Sequence, residues 1–188
     1  MPLSRYEKLF LTTFFGVLAW LGYDTYLFNA EKLYDKAKKA LISQNFDKAQ
    51  SLLEKIVKRD TDDVTSYALL AKTYIEKEKY VEAEKIARKI TRIDKYYIDG
   101  YVLEAEALIA NNRLYDAEKR LNTALNHTRD EYALSDIYLW FAILEVNKNK
   151  DLVKCYEYAV KSFNLNEENS RARQLRDQLA PNQESEEK

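Results

Sequence analysis

The chain has 188 residues and a formal net charge of -1, with 46% hydrophobic and 32% charged residues. This composition supplies a core for one domain with a short appendage and excludes a wholly disordered chain. The balanced charge, without a basic stripe, argues against nucleic-acid binding. With 3 Gly and 2 Pro, the sequence favours helices joined by short links over a β-rich or loop-rich fold.

An apolar stretch lies near the N-terminus, where residues 9–28 read LFLTTFFGVLAWLGYDTYLF with the single charge Asp24. As a helix it would span about 30 Å, the thickness of the hydrocarbon core of a bilayer. We therefore expect a transmembrane anchor over 9–28 after a short flank over 1–8. The expected lipid-facing residues are Leu9, Phe10, Phe14, Phe15, Val17, Leu18, Trp20 and Leu21.

Two alternatives stay open for this segment. It would also suit a buried helix packed on the domain, or a secretory signal in which Val17-Leu18-Ala19 is a weak cleavage site. Because Arg5 and Lys8 precede the segment, the positive-inside tendency places the N-terminus in the cytoplasm. In a bacterium this predicts a single-pass inner-membrane protein with the rest of the chain in the periplasm.

The residues after this segment repeat with a period of 34. Each unit holds two amphipathic stretches, and one helical hairpin cannot bury its apolar face alone, so neighbouring units must stack. The columns that keep the period are Ala37/Ala71/Ala105, Ala49/Ala83/Ala117, Phe46/Tyr80/Leu114, Leu33/Tyr67/Tyr101, Leu53/Ala87/Leu121 and Ile56/Ile90/Ala124.

A fourth unit follows with a slip, since Cys155 lies 38 residues after Ala117. We place the four extra residues near 129–133, as an added turn of the first helix. The expected organisation is four repeats over 30–63, 64–97, 98–131 and 132–167, a capping helix over 168–180 and a polar tail over 181–188.

This pattern resembles the tetratricopeptide repeat family, whose unit is 34 residues long with small residues at its eighth and twentieth positions. Taking Ala30, Val64 and Ile98 as first positions aligns the chain with that scheme. The seventh position departs from it, because Lys36 and Glu104 are charged. The resemblance implies an all-α fold in which helical hairpins form a right-handed superhelix, and a function in protein binding.

In this family the second, fifth, ninth and twelfth positions of each first helix line a concave groove. The resemblance therefore implies a partner-binding groove made of Tyr34, Lys38, Leu41, Lys72, Ile75, Val102, Glu106, Ile109, Ile137, Trp140 and Leu144. Trp140 would be an interface anchor if exposed, and the alternative is that it packs under the capping helix. The paired Asn residues that grip a peptide carboxylate in some tetratricopeptide proteins are absent, so we expect an apolar segment or helix in the groove.

Chemistry-bearing motifs are missing from the sequence. His127 has no nucleophile near it, and Cys155 stands in a small-residue packing column, so both are expected to be structural. Without a phosphate loop, a metal-ligand cluster or a catalytic triad, we expect no enzymatic activity, no cofactor and no small-molecule substrate.

The predicted function is a membrane-anchored scaffold or adaptor, which binds a peptide, helix or subunit of another protein and raises its concentration at the bilayer. Two alternatives stay open. The chain would also suit a structural subunit of a large envelope complex, such as secretion, pilus or flagellar machinery. It would equally suit an ancillary factor or assembly chaperone at a protein translocase.

Overall fold

The computed structural model describes residues 13, 14, 16, 17, 31–148 and 151–180. The chain divides into two compact units, Met1–Asp60 and Thr61–Lys188. Helix α1 covers 31–42, and the others are α2 Phe46–Arg59, α3 Val64–Glu76, α4 Tyr80–Ile93, α5 Ile98–Ala110, α6 Leu114–His127, α7 Glu131–Lys148, α8 Leu152–Leu165 and α9 Ser170–Leu179. The predicted all-α fold is confirmed for this part of the chain, which contains no strand.

Most of the expected membrane anchor lies outside the described residues. Of its eight named side chains only Phe14 and Val17 are described, and both are exposed. No helix in the described ranges is long and apolar enough to span a bilayer. The flank over 1–8 and the tail over 181–188 also lie outside the described residues.

The turn inside each of the first three hairpins has the same geometry. Gln44, Glu78 and Asn112 adopt left-handed φ angles of 56°, 57° and 57°. The next backbone N–H then donates back across the turn, from Asn45 to the Ala40 carbonyl at 2.8 Å in the first hairpin. This helix-ending motif usually uses glycine at the left-handed position, and here three non-glycine residues occupy it.

Small residues allow the helices to approach closely. The alanines at the eighth position, Ala37, Ala71 and Ala105, are 0% exposed. At Gly100 of α5, an added Cβ would lie 2.9 Å from the Cγ2 atoms of Ile90 and Thr91 on α4. Within the unit Thr61–Lys188 the first helices of the hairpins also pack on one another, α3 on α5 and α5 on α7, and α9 packs on α8.

The fourth hairpin has a different register from the one that the sequence predicts. Its buried small-residue cluster consists of Ala142, Cys155 and Ala159. Ala142 lies 37 residues after Ala105, whereas Cys155 lies 38 after Ala117. Three of the four extra residues therefore precede the packed part of α7, and one lies between Ala142 and Cys155. The predicted added turn is present, because α7 has 18 residues and α5 has 13. The prediction that all four extra residues precede the packed part is wrong, and it shifts every predicted α7 side chain by one position.

Candidate protein-binding groove

A cavity of about 210 Å³ opens between α3, α5, α7 and the start of α9. We call this cavity the α3–α5–α7 groove. It brings together four residues that the sequence predicted for a groove: Lys72, Val102, Glu106 and Trp140. The other lining residues are Asp99, Leu103, Asp136, Leu139, Asn169 and Arg171. The groove lies entirely within the unit Thr61–Lys188.

Two of the residues predicted on α7 lie in the core instead of the groove. Ile137 and Leu144 are both 0% exposed and belong to the main apolar cluster. The cause is the register of the fourth hairpin, because a shift of one residue rotates a side chain by about 100° around a helix. Besides Trp140, the residues that line the groove from α7 are one position earlier in the pattern than predicted, at Asp136 and Leu139.

Trp140 is packed rather than exposed. Its side chain belongs to the main apolar cluster and keeps 9% of its surface accessible. The guanidinium carbon of Arg171 on α9 lies 5.5 Å from the centroid of its ring, in a cation–π contact. Of the two alternatives left open by the sequence, the structure therefore shows the packed one, and Trp140 offers an edge to the groove but no free anchor.

The remaining predicted groove residues differ in exposure. Tyr34 and Leu41 of the first unit are half-buried, and the exposed Lys38 places its ammonium 5.5 Å from the Tyr34 ring centroid. Ile75 on α3 is half-buried. Ile109 on α5 is buried in the main apolar cluster, so it supports the wall without offering contact area.

The α3–α5–α7 groove holds more negative than positive charge. Burial raises the pKa of Glu106, an effect that Arg171 and Lys72 oppose and Glu76 adds to. Burial also raises the pKa of Asp136, and the nearby carboxylate of Asp99 raises it further. In both carboxyl groups the effect of burial on the pKa outweighs the attraction of Lys72 and Arg171.

The start of α9 closes one end of the groove. The Asn169 side chain caps this helix by accepting from the Ala172 amide at 3.1 Å. Its Nδ2 donates to Ser135 Oγ at 3.1 Å and to Asp136 Oδ1 at 3.3 Å. One asparagine thus fixes both the entry angle of α9 and the position of the Asp136 carboxylate.

Sequence reasoning missed the contributions of Asp136, Leu139, Asn169 and Arg171. The first two were recoverable, because Asp136, Tyr138 and Ala142 repeat Asp99, Tyr101 and Ala105 at a constant spacing of 37. No sequence signal identified Asn169 and Arg171, whose place in the groove depends on how α9 packs.

His127 and Cys155 lie in packing contacts. The His127 ring stacks on Tyr101 with centroids 5.5 Å apart and meets the edge of Tyr96 at 5.9 Å. Cys155 is 0% exposed, and burial raises the pKa of its thiol, which disfavours the reactive thiolate. Within 31–148 and 151–180, no group of three or more His, Cys, Asp or Glu residues is placed to hold a metal ion.

Comparison with known proteins agrees with this architecture. Residues 40–95 match the family model described as Tetratricopeptide repeat. No curated protein sequence matches the chain. Among solved structures, the chain is similar to a tetratricopeptide repeat protein of Thermus thermophilus, with 16% identity, a TM-score of 0.70 and coverage of 80% of each chain.

Two further solved structures share the fold. A MamA protein of Desulfovibrio magneticus RS-1 is 13% identical with a TM-score of 0.62, over 80% of this chain and 82% of that one. The TPR2B domain of yeast Sti1, solved as a complex with pHsp70, is 17% identical with a TM-score of 0.50, over 72% of this chain and 96% of that one. Residues 40–95 of this protein thus match the tetratricopeptide repeat family, and 80% of the chain shares the fold of a solved tetratricopeptide repeat protein.

Proposed function

We propose that this protein is a scaffold or adaptor that binds another protein through the α3–α5–α7 groove. The observation that carries the proposal is the open cavity of about 210 Å³, which is lined by six charged or polar side chains and four apolar ones. A concave surface that combines charged groups with apolar ones suits a peptide or the face of a helix. The yeast Sti1 domain, which has a similar fold, was solved with a pHsp70 partner.

We further propose that residues 9–28 anchor the chain in a bacterial inner membrane, with the repeats on the periplasmic side. The support is the sequence itself, which carries one charge in twenty residues and has Arg5 and Lys8 before it. Such an anchor confines the groove to the membrane surface, so that a bound partner is held at a raised local concentration there.

A second candidate function is that of a structural subunit of a larger complex. In this function the chain would contact its neighbours through the exposed N-terminal ends of α4, α6 and α8. The observation that favours this function is that the second residue of each of the helices α4, α6 and α8 is an exposed apolar residue. Val81, Tyr115 and Val153 are 63%, 77% and 69% exposed. Side chains of this kind in successive hairpins suit an extended protein contact.

A matched pair of tryptophan variants separates the two functions. Val102→Trp fills the groove, whereas Val81→Trp adds the same bulk at the exposed edge. The full-length protein and both variants are purified from detergent-solubilised membranes, and co-purifying proteins are quantified by mass spectrometry. We expect Val102→Trp to lose the partner and Val81→Trp to keep it.

The reverse result would support the structural-subunit function and contradict binding in the groove. Unchanged partners in both variants would remove both surfaces from consideration. Recovery of the chain in the soluble fraction before detergent is added would contradict the membrane anchor. Far-ultraviolet circular dichroism of each variant shows whether the helices are retained.

A further inference from the structure

We propose that the α3–α5–α7 groove selects a protein segment that carries a basic side chain and an apolar side chain. The two side chains are separated by about the length of one helical turn. This inference rests on the proposed binding function of the groove and specifies the chemistry of its occupant.

The charge of the lining carries the first half of the inference. Three carboxylates, on Asp99, Glu106 and Asp136, face two cations, on Lys72 and Arg171, which leaves one net negative charge. Asp99 and Asp136 occupy the second position of neighbouring repeat units, counted from Ile98 and Ser135, and the charge of Asp99 acts on Asp136. None of the three forms a salt bridge within 4.0 Å in the described part of the chain. A cation placed between them would gain charge-assisted hydrogen bonds.

The spacing of the apolar residues carries the second half. Val102 follows Asp99 by three residues on α5, and Leu139 follows Asp136 by three residues on α7. Residues three apart lie on the same helix face, one turn from each other. The α5 wall of the groove thus presents a carboxylate and then the half-buried Val102, and the α7 wall presents the Asp136 carboxylate and then the edge of Leu139, which is 4% exposed. A complementary segment has a basic residue and an apolar residue at matching separation.

Of the two cations of the groove, Arg171 contacts the Trp140 ring and Lys72 acts on the carboxylates electrostatically. Arg171 lies over the Trp140 ring, with 5.5 Å between its guanidinium carbon and the ring centroid. Lys72 and Arg171 both act electrostatically on Glu106 and Asp136. An acidic partner would have to draw these cations away and would then meet the Asp99 and Asp136 carboxylates, so like-charge repulsion disfavours it.

Display of random peptides on the full-length, detergent-solubilised protein tests this inference. We expect the selected peptides to be enriched in Lys or Arg close to Leu, Ile or Phe. The double variant Asp99→Asn/Asp136→Asn should bind these peptides about tenfold more weakly, since it removes both carboxylates that would meet the basic side chain. The control Glu82→Gln/Glu157→Gln removes the same total charge from exposed positions on α4 and α8 and should bind them as the wild type does.

The possible failures separate the two levels of the proposal. Enrichment of acidic peptides, or unchanged binding by the Asp99→Asn/Asp136→Asn variant, would overturn the charge selection and leave the groove as a binding surface. Selected peptides that bind Val102→Trp as well as the wild type would overturn the proposed function itself. A selection that enriches no peptide would also count against that function.

Discussion

Replacing Ile137 with alanine is expected to lower the free energy of unfolding by about 2–5 kcal/mol, as for other large-to-small changes in a packed core. Ile137 is 0% exposed and packs in the same cluster as Tyr101 and Leu121. When the fourth unit is counted from Ser135, Ile137 stands at its third position. The residues at the third position of the two preceding units, Ser66 and Gly100, are also buried. Urea denaturation followed by circular dichroism measures the change.

Val146→Ala is the matched control for this substitution. Val146 lies on the same helix, α7, but is 38% exposed, so its truncation should change stability by no more than about 0.5 kcal/mol. If Ile137→Ala were as mild as Val146→Ala and instead lost a bound partner, Ile137 would line the groove. The register assigned to the fourth hairpin would then be wrong.

Replacing the buried Glu104 with alanine is expected to lower the free energy of unfolding by nearly as much as Ile137→Ala. Its carboxylate is 0% exposed, and Oε1 accepts from Arg88 Nε at 3.0 Å and lies 2.9 Å from Arg120 Nε. It therefore ties α5 to α4 and α6. Glu104→Ala removes one partner of a buried ion pair and leaves a cavity, for which we expect a loss of about 3 kcal/mol.

The apolar replacement Glu104→Leu should behave differently. Burial raises the pKa of Glu104, with Arg120 and Arg88 opposing it, and its Oε2 has no hydrogen-bond partner in the described ranges. The preceding unit has Leu70 at this seventh position, 1% exposed. Since apolar residues of similar volume often replace buried ion pairs without loss, we expect Glu104→Leu to be at least about 2 kcal/mol more stable than Glu104→Ala. Equal losses in both variants would show that the ion pairs themselves stabilise the fold.

The fold was largely predictable because the packing constraint is local and periodic. Ala37, Ala71 and Ala105 keep the 34-residue spacing, and all three are 0% exposed. In the fourth unit the second helix follows a spacing of 38, as Cys155 shows, whereas the first helix follows a spacing of 37. The added length lies in α7, which has 18 residues against 13 in α5, and one added residue follows Ala142, which a single column could not reveal.

The groove was predictable on α5 and poorly so on α7 and α9. Val102 and Glu106 follow from the repeat scheme, because α5 keeps the register of its neighbours. The contact of Arg171 with Trp140 depends on the angle at which α9 leaves Asn169, which no periodicity encodes. The charge at Glu104 was visible in the sequence, but its partners Arg88 and Arg120 come from two other helices and required the packed structure.

Photo-crosslinking in cells tests most directly whether the α3–α5–α7 groove is the surface that binds another protein. A photoreactive amino acid replaces Lys72, which lines the groove, or Lys85, which lies on the face of α4 that also carries Val81. Both side chains are exposed, so the two positions differ in location and not in access. We predict that the Lys72 position yields a discrete adduct with another protein and that the Lys85 position does not. An adduct from Lys85 with none from Lys72 would contradict the account.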